Sequence, residues 1–288
     1  MVVTGATGSW VEGGSIDTGT GNRYVLLVSA PSRLQLIDNL RSVFESFGAV
    51  VDELSDEQWG SQSLCPAWLM RDVVVHTTAI EQALLGWRPG DDNPFARMAT
   101  IQPELQTLSR AEMMRRYHEV TTARVAELTM MTDDEFAQPS LTPVGPGTYG
   151  RFMAIRCFDV WVHERDIRVP LGIHGDDSGP PAELALDEVH ASLGYIVGKK
   201  IGLADGRGIA IELTGPVARR LLAKVDGRAA RVDELASPDV ALTMDSLTFM
   251  LLACGRIDPD EPLSDGRISI AGDVPLGTHA AHNLSFTM

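Results

Sequence analysis

The sequence predicts two unlike halves: a four-helix bundle over residues 31–175 and a small α+β region over 182–288, preceded by an extension over 1–30. Three observations carry this. Apolar residues recur at steps of three and four through the first half, and strand-like alternation enters only from Gly208 onward. Between the halves lies a linker-like stretch, Gly175-Asp176-Asp177-Ser178-Gly179-Pro180-Pro181.

Residues 1–30 are rich in Gly, Thr and Ser, show no helical period, and read as a mobile extension. Val3-Thr4-Gly5-Ala6-Thr7-Gly8 has the outline of a dinucleotide-binding turn. That turn needs a buried strand before it, a third glycine, and a helix to receive the pyrophosphate. Val11 stands in the glycine position and Gly13-Gly14 interrupt any helix, so the cofactor reading is set aside.

From Ser32 onward Ile37, Leu40, Phe44, Phe47, Val51 and Leu54 mark one face of an amphipathic helix, which Ser55-Asp56-Glu57 then punctuates. A second helix is expected from near Trp68 to about Leu85, with Val73, Ile80 and Leu84 inward. Gly86, Pro89 and Gly90 end it, and residues 86–108 read as a long loop. Ser109-Arg110-Ala111-Glu112 is a capping box opening a third helix that carries Met113, Tyr117, Val120 and Leu128. Pro139, Pro143, Gly145, Pro146 and Gly147 make a rigid connection to a fourth helix, from about Tyr149 to Leu171. Four such helices bury their apolar stripes on one another.

In the second half a helix is expected over Ala182–Gly198 and strands over Gly208–Leu213, Val240–Met244 and Arg267–Ala271. Further helices are expected over Ser246–Gly255 and Pro275–Leu284. Strands interleaved with helices after an all-helical half predict a separate α+β domain.

A formal net charge of -15 argues against any hold on nucleic acid or an anionic membrane, because such binding runs on Lys and Arg neutralising phosphate. Cys65, Cys157 and Cys254 are odd in number and far apart, the pattern of reduced thiols rather than of a disulfide framework. No apolar stretch approaches the roughly 20 residues a membrane span needs. A soluble, cytoplasmic protein is the expectation.

The chemistry concentrates in Asp159-Val160-Trp161-Val162-His163. Residues four apart share a helix face, so this carboxylate and imidazole can point at one ion. Phe152, Ile155 and Val162 mark the buried stripe, and Asp159 and His163 fall on or beside it. There a carboxylate costs several kcal/mol unless it is paired or coordinates a cation. His76, three residues after Val73 and four before Ile80, faces inward from the second helix. Two His and one carboxylate suit Zn²⁺ or another first-row divalent ion, with at least one position left open. The plainer alternative is a structural Asp–His hydrogen bond beside an ordinary core histidine. Asp166 or Glu164 would support an imidazole N–H from behind, although for Glu164 solvation at the surface is the simpler role. His118, His174, His190, His279 and His282 lack partners at ligand spacing, and Trp161 is expected between the two halves.

Cys157-Phe158-Asp159-Val160-Trp161-Val162-His163-Glu164-Arg165-Asp166-Ile167-Arg168 resembles the fourth-helix signature of the mycothiol-dependent maleylpyruvate isomerase family, within the wider DinB-like metal-binding bundles. Ser63-Leu64-Cys65-Pro66-Ala67-Trp68 through Asp72-Val73-Val74-Val75-His76 is similar to its second-helix motif. Asp239-Val240-Ala241-Leu242-Thr243-Met244, Gly255-Arg256 and Ile270-Ala271-Gly272-Asp273 resemble the sterol-carrier-like domain that closes many members. The resemblance spans residues 32–288 and implies His76, Asp159 and His163 as ligands of a divalent metal, most simply Zn²⁺. The family's carboxylate ligand is a glutamate, and Asp159 is one methylene shorter.

The resemblance further implies a low-molecular-weight thiol, mycothiol, as cosubstrate and a small electrophile as substrate. A metal with an open position favours the thiolate. Addition to a cis double bond, rotation and expulsion would give an isomerase; displacement or epoxide opening would give an S-transferase. The alternatives are a non-catalytic protein that binds a metal and a small ligand, and a metal-free scaffold.

Overall fold

The computed structural model describes residues 31–91 and 93–287; the predicted extension over 1–30 lies outside them. Helix α1 (Arg33–Asp52) opens on a capping box in which Ser32 and Gln35 satisfy each other's backbone N–H groups. Its predicted stripe is buried throughout. A turn of helix, α2 (Asp56–Trp59), leads to α3 (Met70–Leu84). The expected loop over 86–108 is partly helical instead: a 3₁₀ turn at Pro94–Arg97 runs into α4 (Met98–Gln106), which buries Ile101 and Leu105. Pro103 masked that helix in the sequence, since an internal proline is read as a breaker.

The Ser109 box caps α5 (Arg110–Met130) as expected, and α6 (Asp133–Phe136) follows. The proline- and glycine-rich connection is a hairpin, β1 (Pro139–Thr142) paired antiparallel with β2 (Gly145–Thr148). Gly145 takes the left-handed φ that its turn requires. Thr148 then caps α7 (Tyr149–Arg168), which packs against α1, α3 and the hairpin.

The helical region is followed by a smaller sheet-containing one. α8 (Gly179–Ala191) lies against α7 and α1, and α9 (Leu193–Tyr195) with a π-helical turn to Ile201 completes the predicted helix in pieces. The sheet comprises β3 (Gly208–Thr214), β4 (Arg219–Asp226), β5 (Arg228–Arg231), β6 (Val240–Asp245) and β7 (Ser269–Gly272) in the order β5-β4-β3-β6-β7. Only β3 and β6 run parallel, with Ile211 opposite Leu242. β4 and β5 escaped the sequence reading because their apolar runs are broken by Arg219, Arg220, Lys224, Arg228 and Arg231. α10 (Ser246–Ala253), α11 (Asp260–Ser264) and α12 (Val274–His282) complete the chain.

A single apolar core runs unbroken from Leu36 in α1 to Leu284 beyond α12. Trp161 sits where the halves meet, beside Val217, Leu247 and Met250. Among the described residues no helix is long and apolar enough to cross a membrane.

Candidate metal centre

The structure brings the three predicted ligands together. Donor atoms of His76, Asp159 and His163 all lie within 4.8 Å of one another. His163 Nε2 is 3.8 Å from Asp159 Oδ2, and the two imidazoles meet edge to face at 5.1 Å between centroids. Tetrahedral donors at about 2.0–2.1 Å from an ion stand roughly 3.3–3.5 Å apart, so small side-chain movements close the set. The residues therefore fit a divalent cation. His163 sits at the back, with its side chain 7% exposed, and Asp159 at the front, 29% exposed.

Protonation favours ligation. Burial pushes the His76 imidazole down to about 3, with His163 and Arg156 adding to the effect, so it is neutral at physiological pH. For Asp159 burial acts upward, but Arg156, His163 and His76 outweigh it and hold the carboxyl below its usual range. The result is one anionic donor facing a neutral one.

Two of the three candidate ligands, Asp159 and His163, are held from behind. Arg156, three residues before Asp159 on the same face of α7, donates from Nη1 to Asp159 Oδ2 at 2.8 Å. Arg156 Nε donates in turn to Glu81 Oε1 at 2.8 Å, and Arg124 Nε reaches Glu81 Oε2 at 3.3 Å. This buried Arg–Glu–Arg group ties α3, α5 and α7 together. His163 Nδ1 is 2.8 Å from Asp166 Oδ2, an arrangement that leaves Nε2 free to ligate. Asp166 also accepts from Arg256 of the sheet half, at Oδ1 from Nε (2.7 Å) and at Oδ2 from Nη2 (3.1 Å).

The loop before α3 covers the imidazoles. Trp68 lies 4.7 Å from His76 and 5.8 Å from His163 between ring centroids. The loop is anchored by Leu64 N–H donating to the Asp166 carbonyl at 2.9 Å. Ala67, next to Trp68, is the one non-glycine with a left-handed φ among the described residues, at 65°. Such backbone strain concentrates at functional sites. Cys65 lies in the same loop, and burial raises its thiol pKa against the pull of Arg256.

Other expectations meet the structure unevenly. Asp166 supports His163 as anticipated. Glu164 is not solvated: it is buried and pairs with Arg168 at 2.8 Å, because the linker folds back and Asp177 bridges Arg165 and Arg168 over it. His282 does have carboxylate neighbours, Asp258 and Asp260, but all three are exposed. Arg156 and Glu81 went unnoticed in the sequence, and Arg256 stood out there only as part of the Gly255-Arg256 pair, with no link to this centre; the i, i+3 spacing of Arg156 to Asp159 was the available signal. An open groove lined by Arg41, Phe44, His118 and Thr121 includes none of the three ligands.

Family models match both halves: the mycothiol maleylpyruvate isomerase N-terminal domain over residues 40–168, and the C-terminal domain of the same family over 183–279. The chain belongs to the mycothiol maleylpyruvate isomerase family. Two solved structures share the fold of this family member. One is a mycothiol-dependent maleylpyruvate isomerase, with 15% identity and TM-score 0.55; the other is a histidine-to-alanine mutant of such an enzyme, with 16% and 0.56. Each alignment covers 79% of this chain and 90% of the solved one. Comparison with curated protein sequences returns no match.

Proposed function

We propose that this family member is a metal-dependent enzyme that activates a low-molecular-weight thiol, mycothiol by family, for isomerisation of or S-transfer to a small electrophile. The observation that carries the reading is the convergence of His76, Asp159 and His163, with Arg156 holding the carboxylate and Asp166 holding the His163 imidazole from behind. The three side chains would hold the cation, most simply Zn²⁺. A cation so bound supplies one thing, a preference for the thiolate form of a thiol near neutral pH.

The chain's own groups do the rest. Arg156 fixes the Asp159 carboxylate through Oδ2, the oxygen that lies 3.8 Å from His163 Nε2. Trp68 shields the imidazoles on one side, which limits water there and leaves the Asp159 side as the approach for thiol and electrophile. Addition of the thiol to a cis double bond, rotation about the resulting single bond and expulsion of the thiol would complete an isomerisation.

The test is elemental analysis of natively purified protein, together with thiol-binding calorimetry before and after chelation. About one equivalent of metal, lost in His163→Ala, and thiol binding that disappears with the ion are expected. Protein without metal, or thiol binding indifferent to chelation, would sink the reading.

A further inference from the structure

We infer that Arg256, on the sheet-bearing half, is a positioning residue for the His163 imidazole and acts on it through Asp166. The inference rests on the metal reading above.

Asp166 is wholly buried, three residues after His163 on α7. One of its oxygens faces His163 Nδ1 at 2.8 Å, and the guanidinium of Arg256 engages both. A carboxylate gripped at two points cannot turn about its own axis, so the plane of the guanidinium sets the direction from which the imidazole is held. Without Arg256 the same carboxylate would be a buried charge with a single neighbour, free to rotate and take the ring with it.

Arg256 is itself constrained. Its Nη1 donates to the Cys254 carbonyl at 2.7 Å, and its side chain is only 5% exposed. It follows Gly255, whose φ of +67° turns the chain at the end of α10. The residues beyond are tied back by Phe286 N–H donating to the Ala253 carbonyl at 3.0 Å. A residue 90 positions from Asp166 thus reaches across the chain to the back of a ligand. The sheet half therefore sets ligand geometry without touching the ion.

The experiment measures Zn²⁺ affinity by competition with a chromophoric chelator, and the absorption spectrum of the Co²⁺-loaded protein. It compares wild type, Arg256→Met, Arg256→Lys, Asp166→Asn and the double variant Arg256→Met/Asp166→Asn. Circular dichroism of the metal-free proteins establishes that each is folded. Arg256→Met is expected to lose roughly 10–100-fold in affinity, the usual cost of removing an outer partner, with an altered Co²⁺ spectrum. Arg256→Lys should recover part of both, and the double variant should bind no more weakly than Asp166→Asn alone. Should Arg256→Met not fold, the near-isosteric Asp166→Asn and the charge-conserving Arg256→Lys carry the comparison. Wild-type affinity and spectrum in the Arg256 variants, or additive losses in the double variant, overturn the inference and leave the metal reading standing. A wild-type protein that takes up no metal overturns both.

Discussion

Trp68 lies tilted against His76 with 4.7 Å between ring centroids and 49° between the ring planes, placing an indole directly beside a candidate ligand. Titrating metal-free protein with Co²⁺, a quenching ion, should therefore dim tryptophan emission saturably at one equivalent. In Trp68→Phe most of that change should vanish, although four other tryptophans remain. A quench of equal size in the variant would place the ion elsewhere.

Asp159 is the single anionic donor of the set. Asp159→Asn should lower Zn²⁺ affinity by at least about 100-fold, the upper end of what outer partners alone cost. Asp159→Glu keeps the charge and should recover most of the loss. Chelator competition reads both, and an asparagine variant with undiminished affinity would remove the carboxylate from the ligand set.

Glu81 stands between two buried guanidiniums, those of Arg124 and Arg156. Glu81→Gln leaves two cations short of a counter-charge in the core, which should cost about 3–5 kcal/mol in urea unfolding. Glu127 also pairs with Arg124, but its side chain is 15% exposed, so Glu127→Gln should cost distinctly less. Equal losses in the two variants would contradict the buried-network account.

The His190 imidazole is pushed down to about 4, first by burial and then by Arg231 and Arg219, against an upward pull from Asp187. The unfolded chain takes up that proton near 6.5 and the folded chain only near 4. Between those values the unfolded state binds more protons, so stability rises with pH across the window. His190→Gln should reduce the slope of the urea-midpoint profile between pH 4 and 6.5, leaving the contribution of His76, and leave the profile unchanged above 7. A slope identical to wild type would show that His190 does not produce it.

Helix existence in the first half was legible because single apolar stripes and cap residues such as Ser109 and Glu112 leave a local signature. The clustering of the three candidate ligands was legible for the same reason: Asp159 and His163 share one helix face, and His76 falls on the inward face of another. What escaped depends on tertiary partners. α4 contains Pro103, β4 and β5 alternate with arginines, and Glu164 looks like a surface residue until Arg168 and Asp177 close over it. Arg256 belonged to a recognisable Gly-Arg pair, but nothing local ties it to a carboxylate 90 residues earlier.

The concentration of ionisable groups on α7 bears on the order in which the protein assembles. Arg156, His163, Glu164, Arg165, Asp166 and Arg168 are all buried there, and their counter-charges include Glu81, Asp177 and Arg256. In isolation this segment would gain little by leaving water. Pairs within the helix, such as Glu164 with Arg168, answer part of that charge, and other stretches of chain deliver the rest. Refolding speed is then expected to depend on these long-range meetings as well as on helix initiation.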